Sequence, residues 1–164
     1  MNGHQKLMAE NLLKIFAKTL QIKVAILRIS TAYGFDERYS DQGVINKWIK
    51  CAISGDVLDL YNTEDSLINF ISLEQIANAI DCCIENEVSG TINIGSSEST
   101  SLKEIIEEIS KVSDRNLSIR QKDNKYRNFQ LSTDIFYNKT GILFKNRAVD
   151  DIKYLYNKIN KSKR

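Results

Sequence analysis

The chain of 164 residues contains no proline, one histidine and three cysteines. Proline-rich segments often separate domains, and without such a marker we draw no internal boundary and predict a single domain over residues 1–164. A zinc site needs several cysteine or histidine ligands at fixed spacings. The histidine, His4, is distant in sequence from every cysteine, so we predict no metal site. We expect reduced thiols on helix faces at Cys51, Cys82 and Cys83.

Long apolar segments are absent as well. The longest apolar runs, such as residues 24–27, are far shorter than the roughly 20 residues of a transmembrane helix, and the N-terminus lacks the apolar stretch of a signal peptide. We therefore expect a cytoplasmic protein without a membrane partner. The formal net charge is only +2, and the basic segment 158–164 continues a helical pattern, which predicts a solvated end and no nucleic-acid partner.

The glycines also lack an informative arrangement. None of the seven belongs to the pattern Gly-x-Gly-x-x-Gly, which in dinucleotide-binding folds makes the tight turn that holds a pyrophosphate at a helix N-terminus. We therefore expect that a complete dinucleotide-binding unit is missing from these residues.

The residues that are present are typical of a globular domain, since 42% are hydrophobic and 27% are charged. Apolar residues recur at helical spacing in several segments. A capping box of Ser101 and Glu104 precedes one of them, and Gly55 follows another. The predicted helices cover residues 3–20, 44–53, 73–84, 102–112 and 152–159, with Cys82 and Cys83 in the core.

Short apolar runs between these helices predict strands. Residues 23–29 form a run without alternation, which is typical of a parallel strand covered on both faces. Further strands are predicted at residues 57–61, 91–95, 117–120 and 129–131, and a short apolar stretch at 69–72 leads into a helix. Because strands and helices alternate, we predict an α/β fold.

Four segments, residues 3–10, 27–34, 69–77 and 91–96, stand in an order that is similar to the NAD-dependent epimerase/dehydratase family. These enzymes are extended short-chain dehydrogenase/reductases that act on nucleotide sugars. The resemblance covers nearly the whole chain and corresponds to the C-terminal half of such an enzyme. It implies a partial Rossmann-like three-layer fold, with the C-terminal part of the parallel sheet, and a small α/β substrate-binding lobe.

The first segment resembles the helix that carries the catalytic Tyr-x-x-x-Lys pair of this family. The resemblance implies that Lys6 is the lysine, which lowers the pKa of the tyrosine and holds the nicotinamide ribose. Four residues earlier stands Asn2, whose amide cannot accept the proton. Two explanations stay open: Asn2 replaces the catalytic base, or Met1 falls within a longer coding sequence.

The second segment resembles the strand whose end approaches the nicotinamide and the sugar. The resemblance implies that Ser30 and Thr31 contact the cofactor there and that Thr31 also contacts the substrate, although Thr31 stands where the family often has asparagine. Hydroxyl groups both donate and accept hydrogen bonds, which suits a carboxamide or a phosphate. Alternatively, these hydroxyls close a turn between strand and loop.

The resemblance also implies a substrate lobe in which Val44 and Tyr61 line the pocket for the nucleotide base. A flat ring needs apolar or aromatic walls. Trp48 lies on the apolar stripe of its helix and is predicted to be a core residue.

Two positions bear on the phosphates of the substrate. The family commonly has an arginine directly before its Asp-Phe-Ile segment, whereas this chain has Ile68 followed by Asn69. Arg127 lies ahead of Asp134, where these enzymes often carry another arginine, and a guanidinium suits phosphate because it forms two parallel hydrogen bonds. We therefore predict that Arg127 contacts the substrate. Alternatively, Arg127 is a surface charge without a ligand.

Three hypotheses follow. In the first, the chain is the substrate-binding portion of an NAD(P)-dependent enzyme that acts on a nucleotide-diphosphate sugar. Its dinucleotide-binding half is then encoded upstream or supplied by another chain. Such a chain is expected to be inactive and without NAD or NADP when alone, and to form a dimer through helix 3–20. In the second, it is a non-catalytic binding or oligomerisation module. In the third, it is an unrelated small α/β protein.

Overall fold

The computed structural model describes residues 2–36 and 43–161, apart from the side chains of Asn2 and Asn124. In chain order the elements are α1 (Asn2–Leu20), β1 (Ala25–Ile29), β2 (Thr31–Tyr33), α2 (Val44–Ser54), β3 (Leu58–Asn62), β4 (Leu67–Ile68), β5 (Phe70–Ser72), α3 (Leu73–Glu85), β6 (Gly90–Ile94), β7 (Thr100–Ser101), α4 (Leu102–Ser113), β8 (Ile119–Lys125), α5 (Asp134–Thr140) and α6 (Ile152–Lys161).

Local sequence signals fix several of these boundaries. The predicted capping box before α4 is confirmed, because the Ser101 side chain accepts a hydrogen bond from the Glu104 backbone and the Glu104 side chain accepts one from the Ser101 backbone. Gly55 ends α2 in the left-handed conformation with a φ of 79°, which a residue without Cβ adopts at little cost. A second capping box, of Ser72 and Gln75, begins α3.

The strands pair mainly in parallel. Residues 25–33 run along two partners in succession, with β1 beside β6 and β2 beside β5. The change occurs at Ser30, whose backbone N–H donates to Ile94 O, whereas the next N–H, of Thr31, donates to Asn69 O. Further along, β3 pairs in parallel with β8, and β4 pairs antiparallel with β7. This mixed arrangement confirms the predicted partial α/β fold.

Two groups of buried side chains form the core. The larger lies between α2, α4 and α6 and strand β3, with Ile45, Ile49, Leu58, Ile105 and Ile152 at its centre. Trp48 is 4% exposed, which confirms its predicted place in the core. The smaller group surrounds β5 and β6 and includes Ile71, Ala79, Cys83, Ile92, Ile94 and Phe136. Cys83 is buried as predicted, whereas Cys82 is only half-buried.

The prediction that the first strand is covered on both faces was wrong. In β1, Ala25, Arg28 and Ile29 are exposed, and the exposed fraction of Ile29 is 42%. Within residues 2–36 and 43–161, β1 pairs with β6 alone. An apolar run indicates that a strand is buried by neighbouring strands and helices. It does not show whether those neighbours belong to the same chain.

The prediction of a strand at residues 129–131 was also wrong. Phe129 is exposed, and its backbone N–H donates to Leu67 O without a continuous ladder. The extended segment comes earlier, as β8, which contains no apolar residue after Ile119. Helix α5, which follows, was not predicted because its pattern is too short, with a single buried residue, Phe136.

The predicted helix at residues 3–20 is confirmed as α1, but its side chains are largely exposed. None of its described side chains, from Gly3 to Leu20, is buried. The exposed apolar residues of the helix are Leu7, Met8, Leu12, Leu13, Ile15, Phe16 and Leu20. Helices of globular proteins usually bury an apolar stripe, whereas the apolar residues of α1 are exposed.

Candidate functional site

The predicted site residues fall into four places. Lys6 lies in the α1–β1 groove, the space between helix α1 and strand β1. Ser30 and Thr31 follow directly at the junction of β1 and β2. Val44 and Tyr61 lie in the α2–β3 pocket, between helix α2 and strand β3. Arg127 lies outside this pocket, in the segment after β8.

The α1–β1 groove has a volume of about 1000 Å³ and is lined by residues of both elements, including Lys6 and Arg28. A two-pronged ion pair holds the helix on the strand: Arg28 Nε donates to Glu10 Oε1 at 2.9 Å, and a terminal nitrogen donates to Oε2 at 2.7 Å. The hydrogen bond from Arg28 lowers the pKa of Glu10. Since Lys6 precedes Glu10 by about one helical turn, its ammonium faces the same groove.

The junction between β1 and β2 contains a buried hydroxyl that lacks a partner. Ser30 Oγ makes no hydrogen bond within the described part of the chain. Gly95 lies close to this hydroxyl, because a Cβ on Gly95 would be only 3.2 Å from Ser30 Oγ. An unsatisfied buried polar group costs about 1–3 kcal/mol, so a polar group that reached this hydroxyl would gain a hydrogen bond.

Asn69 fixes the loop opposite this hydroxyl. Its side chain is fully buried, accepts from Ser96 N at 3.1 Å, and donates to Ser96 O at 2.8 Å. The same residue leaves no room for a side chain on Gly95, because an added Cβ would lie 2.5 Å from Asn69 Oδ1. The sequence analysis did not find this role, although an asparagine within an apolar stretch is a signal for a satisfied buried amide.

The structure brings Val44 and Tyr61 together in the α2–β3 pocket, which has a volume of about 590 Å³. One wall comes from α2, where Trp48 is buried and its indole Nε1 donates to Asp59 O at 3.4 Å. The other comes from β3, where Tyr61 is 63% exposed. Further lining residues are Lys47, Cys51 and Val57. A cleft between an aliphatic and an aromatic wall suits a flat ring.

Asp59 is an acidic residue that lines this pocket and that the sequence analysis missed. Its carboxylate accepts from Arg120 Nε at 2.7 Å, and Lys122 Nζ lies 3.8 Å from its other oxygen. The hydrogen bond from Arg120 lowers the pKa of Asp59. The signal in the sequence was the alternation of Leu58, Asp59 and Leu60, which turns the carboxylate to the face opposite the core.

Arg127 does not line the α2–β3 pocket, but it lies beside the strand that carries Ile68. Its backbone N–H donates to Ser66 Oγ at 3.0 Å, and its carbonyl accepts from Leu67 N at 2.8 Å. Ile68 packs against the larger core group. The position where the sequence analysis looked for an arginine is therefore a partly buried apolar contact with the core, and an exposed arginine lies on the adjacent segment.

A buried tyrosine on β2 does not replace the missing catalytic one. Tyr33 lies at a separate cavity of about 470 Å³, and its hydroxyl donates to Asp151 at 2.8 Å. Burial and the neighbouring Asp151 raise the pKa of Tyr33 far above its ordinary value. A general base near neutral pH needs a lowered phenol pKa, so Tyr33 is held in the neutral form.

Comparison with known proteins identifies the family to which the chain belongs. Residues 3–95, more than half of the chain, match the NAD dependent epimerase/dehydratase family. The chain belongs to this family. The hypothesis of an unrelated small α/β protein was therefore wrong. A curated relative, dTDP-4-dehydro-6-deoxyglucose reductase of Escherichia coli, is 38% identical over 110 residues, which are 65% of this chain and 34% of the reductase.

Solved structures of the family share the fold. A UDP-glucuronic acid 4-epimerase from Bacillus cereus, in complex with UDP-glucuronic acid and NAD, superimposes with a TM-score of 0.86 at 20% identity over 97% of this chain and 52% of the epimerase. A UDP-glucose 4-epimerase from Thermotoga maritima, with UDP-glucose, gives 0.84 at 18% identity over 99% and 54%. The chain thus spans about half the length of these epimerases and a third of the reductase.

Two further features concern metals and membranes. Among residues 2–36 and 43–161, no three His, Cys, Asp or Glu side chains are grouped so that they could hold a metal ion. In the same part of the chain, no helix has both the length and the apolar character needed to cross a bilayer.

Proposed function

We propose that this chain is the substrate-binding, C-terminal portion of an NAD(P)-dependent nucleotide-sugar epimerase, dehydratase or reductase. In this proposal, residues 1–164 form one cytoplasmic domain. The observation that supports the proposal most directly is the α2–β3 pocket, in which Val44 and Tyr61 form the two walls of a cleft. The base of a nucleotide-diphosphate sugar would lie against Tyr61, Arg127 would contact the phosphates, and Thr31 would approach the sugar.

The residues around the α1–β1 groove fit the nicotinamide end of a dinucleotide. Ser30 offers a buried hydroxyl without a partner in the described chain, and the Lys6 ammonium would bind ribose hydroxyls. The dinucleotide, when bound, would supply hydride transfer. The glycine-rich turn for its pyrophosphate is missing from this sequence, so the chain alone is expected to bind neither NAD nor NADP.

The acid–base step is the second reason to expect no turnover by the chain alone. The family tyrosine corresponds to Asn2, and an amide neither takes up nor releases a proton near neutral pH. The role that remains for Lys6 is to hold the ribose and to present a positive charge beside the proton-transfer position.

Two protein partners belong to the same proposal. The inner side of α1 lines the α1–β1 groove. A dinucleotide-binding unit would complete the sheet at the edge of β1 that is unpaired within the described residues. The outer side, which includes Met8, Leu12 and Phe16, would pack on a second copy of the chain in a dimer. Unpaired strand edges and bare apolar helices both favour association.

A second candidate function is a non-catalytic module that binds nucleotide sugars or mediates oligomerisation. Two replacements favour it: Asn2 at the catalytic position and Ile68 at a phosphate-anchoring position. The α2–β3 pocket would keep its role, whereas Lys6 would have none. If NAD or NADP affinity is unchanged in Lys6→Ala after a dinucleotide-binding half has been added, the result would favour this candidate.

The test is a calorimetric titration of the purified chain with UDP and dTDP. We expect binding, and we expect Tyr61→Ala to weaken it about tenfold, because stacking on an aromatic ring contributes about 1–3 kcal/mol. Tyr137→Ala is the matched control, since Tyr137 is also an exposed tyrosine but lies on α5. The proposal is wrong if neither nucleotide binds, or if the two variants weaken binding equally.

A further inference from the structure

Asn69, Ser30 and Gly95 form a row across the sheet. Strand β1 pairs in parallel with β6 as far as residue 29, and β2 pairs in parallel with β5 from residue 31. When both registers are continued by one residue, Ser30 has Gly95 on one side and Asn69 on the other. The row lies directly beyond the carboxyl ends of β1 and β6, which is where open α/β sheets bind their ligands.

The small neighbours in this row allow the Asn69 side chain to reach across it. A Cβ on Gly95 would lie 2.5 Å from Asn69 Oδ1 and 3.2 Å from Ser30 Oγ. The amide and the Ser30 hydroxyl are therefore on the same face of the row. A larger residue at position 95 would occupy the space that the amide now fills.

On the far side of Gly95, the amide makes three hydrogen bonds to the backbone of residues 96–98. Asn69 Oδ1 accepts from Ser96 N at 3.1 Å, and Nδ2 donates to Ser96 O at 2.8 Å and to Glu98 O at 3.3 Å. Because Asn69 is fully buried, these bonds replace the water that the amide loses on folding. One side chain thus ties the start of β5 to the loop after β6.

The same hydrogen bonds explain why the neighbouring hydroxyl has no donor. Both hydrogens of the Asn69 amide are directed to the loop, so none is left for Ser30. Ser30 Oγ is buried and makes no hydrogen bond to any residue that the structure describes. Asn69 therefore fixes the loop and leaves the Ser30 hydroxyl free to bind a ligand.

The main chain of Asn69 holds the next residue of the junction. Its carbonyl accepts from Thr31 N at 3.1 Å, whereas the N–H of Ser30 donates to Ile94 O at 2.9 Å. A displacement of Asn69 would therefore move Thr31 and the loop but leave the pairing of β1 with β6 in place. Asn69 is not a lining residue of the α2–β3 pocket.

We propose that Asn69 is a positioning residue for the sugar end of the site, because it sets Thr31 relative to the loop 95–98. A neutral amide suits this role, since it accepts from one backbone N–H and donates to two carbonyl groups at once. An ionised carboxylate of the same shape has no hydrogen to donate. This role rests on the proposed function, which places the sugar of a nucleotide-diphosphate sugar at Thr31.

Calorimetric titration of the full chain with UDP and with UDP-glucose tests this role. Asn69→Asp keeps the shape of the side chain but directs a carboxylate at the carbonyl oxygens of Ser96 and Glu98. We expect it to weaken UDP-glucose about tenfold, which is the typical effect of a lost hydrogen bond. UDP has no sugar beyond its phosphates, so its affinity should change by less than about twofold. Tyr61→Ala should give the other pattern and weaken both ligands equally.

Two further variants complete the test. Asn86→Asp is the matched control, because Asn86 Nδ2 donates to Cys82 O at 2.8 Å at the end of α3, and it should change neither affinity. Asn69→Ser carries no charge and is too short to reach Ser96. It should give the same selective loss of UDP-glucose, also if the buried charge of Asn69→Asp prevents folding.

The outcomes separate this role from the proposed function. Equal weakening of UDP and UDP-glucose in the Asn69 variants, or no change in either, would overturn the positioning role. A natural chain that binds UDP but not UDP-glucose would also overturn it, because the sugar would then have no place at Thr31. Failure of the natural chain to bind UDP at all would overturn the proposed function.

Discussion

Apolar residues on helices are buried in one region of this molecule and exposed in another. In the lobe built from α2, α4 and α6 around β3, Ile49 is 0% exposed. On α1, Phe16 is 56% exposed. Both residues lie on helices with apolar residues at helical spacing. The lobe contains its own core, whereas the apolar residues of α1 are exposed. In the proposed function, the lobe binds the nucleotide and α1 mediates assembly.

The strongest test of this difference compares two core-type substitutions. Ile49→Ala should lower the free energy of unfolding by about 2–5 kcal/mol, because it leaves a cavity in a packed interior. Leu12→Ala on α1 should change it by less than about 0.5 kcal/mol, since an exposed side chain loses little on truncation. Urea denaturation of the two variants measures both values. Equal losses would mean that α1 is covered in the free chain.

The next test concerns the outer side of α1. If this side packs on a second copy, Phe16→Asp should weaken self-association at least about tenfold, because a buried carboxylate in an apolar interface is costly. Analytical ultracentrifugation over a range of concentrations measures the effect. Tyr137→Asp, on an exposed face of α5, serves as the control and should leave association unchanged. Association that persists in Phe16→Asp would exclude α1 as the interface.

The smallest expected effect concerns how α1 is held. Because the Arg28 hydrogen bond lowers the pKa of Glu10, the ion pair is complete above the ordinary pKa of a glutamate. It is lost as the pH falls through the lowered value of the folded chain. An NMR titration of the Glu10 carboxyl should show this lowered pKa, and Arg28→Met should return it to the ordinary range. A pKa that is the same in both proteins would mean that the pair does not form.

The sequence predicted the elements of both regions better than their surroundings. Helical spacing predicted α1 and α2, and the Ser101 capping box predicted the start of α4. The same spacing could not show that α1 is exposed, because periodicity reports which side of a helix needs cover but not whether the chain supplies it. For the same reason, the apolar run at β1 suggested a covered strand that the structure leaves open.

The candidate site was also predicted only in part. Val44 and Tyr61 were predicted as the walls of one pocket by resemblance alone, and they lie together in the structure. The sequence analysis missed Asp59, because its ion pairs are with Arg120 and Lys122. These residues lie about 60 positions later and are brought beside Asp59 by the pairing of β3 with β8. Such long-range pairing is not readable from local pattern.

The most direct test of the division between the two regions is an NMR titration of the chain with UDP, following the backbone amide signals. We predict shifts at Val44, Asp59 and Tyr61, with little change in α5 or along α1. Shifts confined to the cavity around Tyr33 and Asp151, or no shifts at all, would contradict the assignment of nucleotide binding to the α2–β3 pocket.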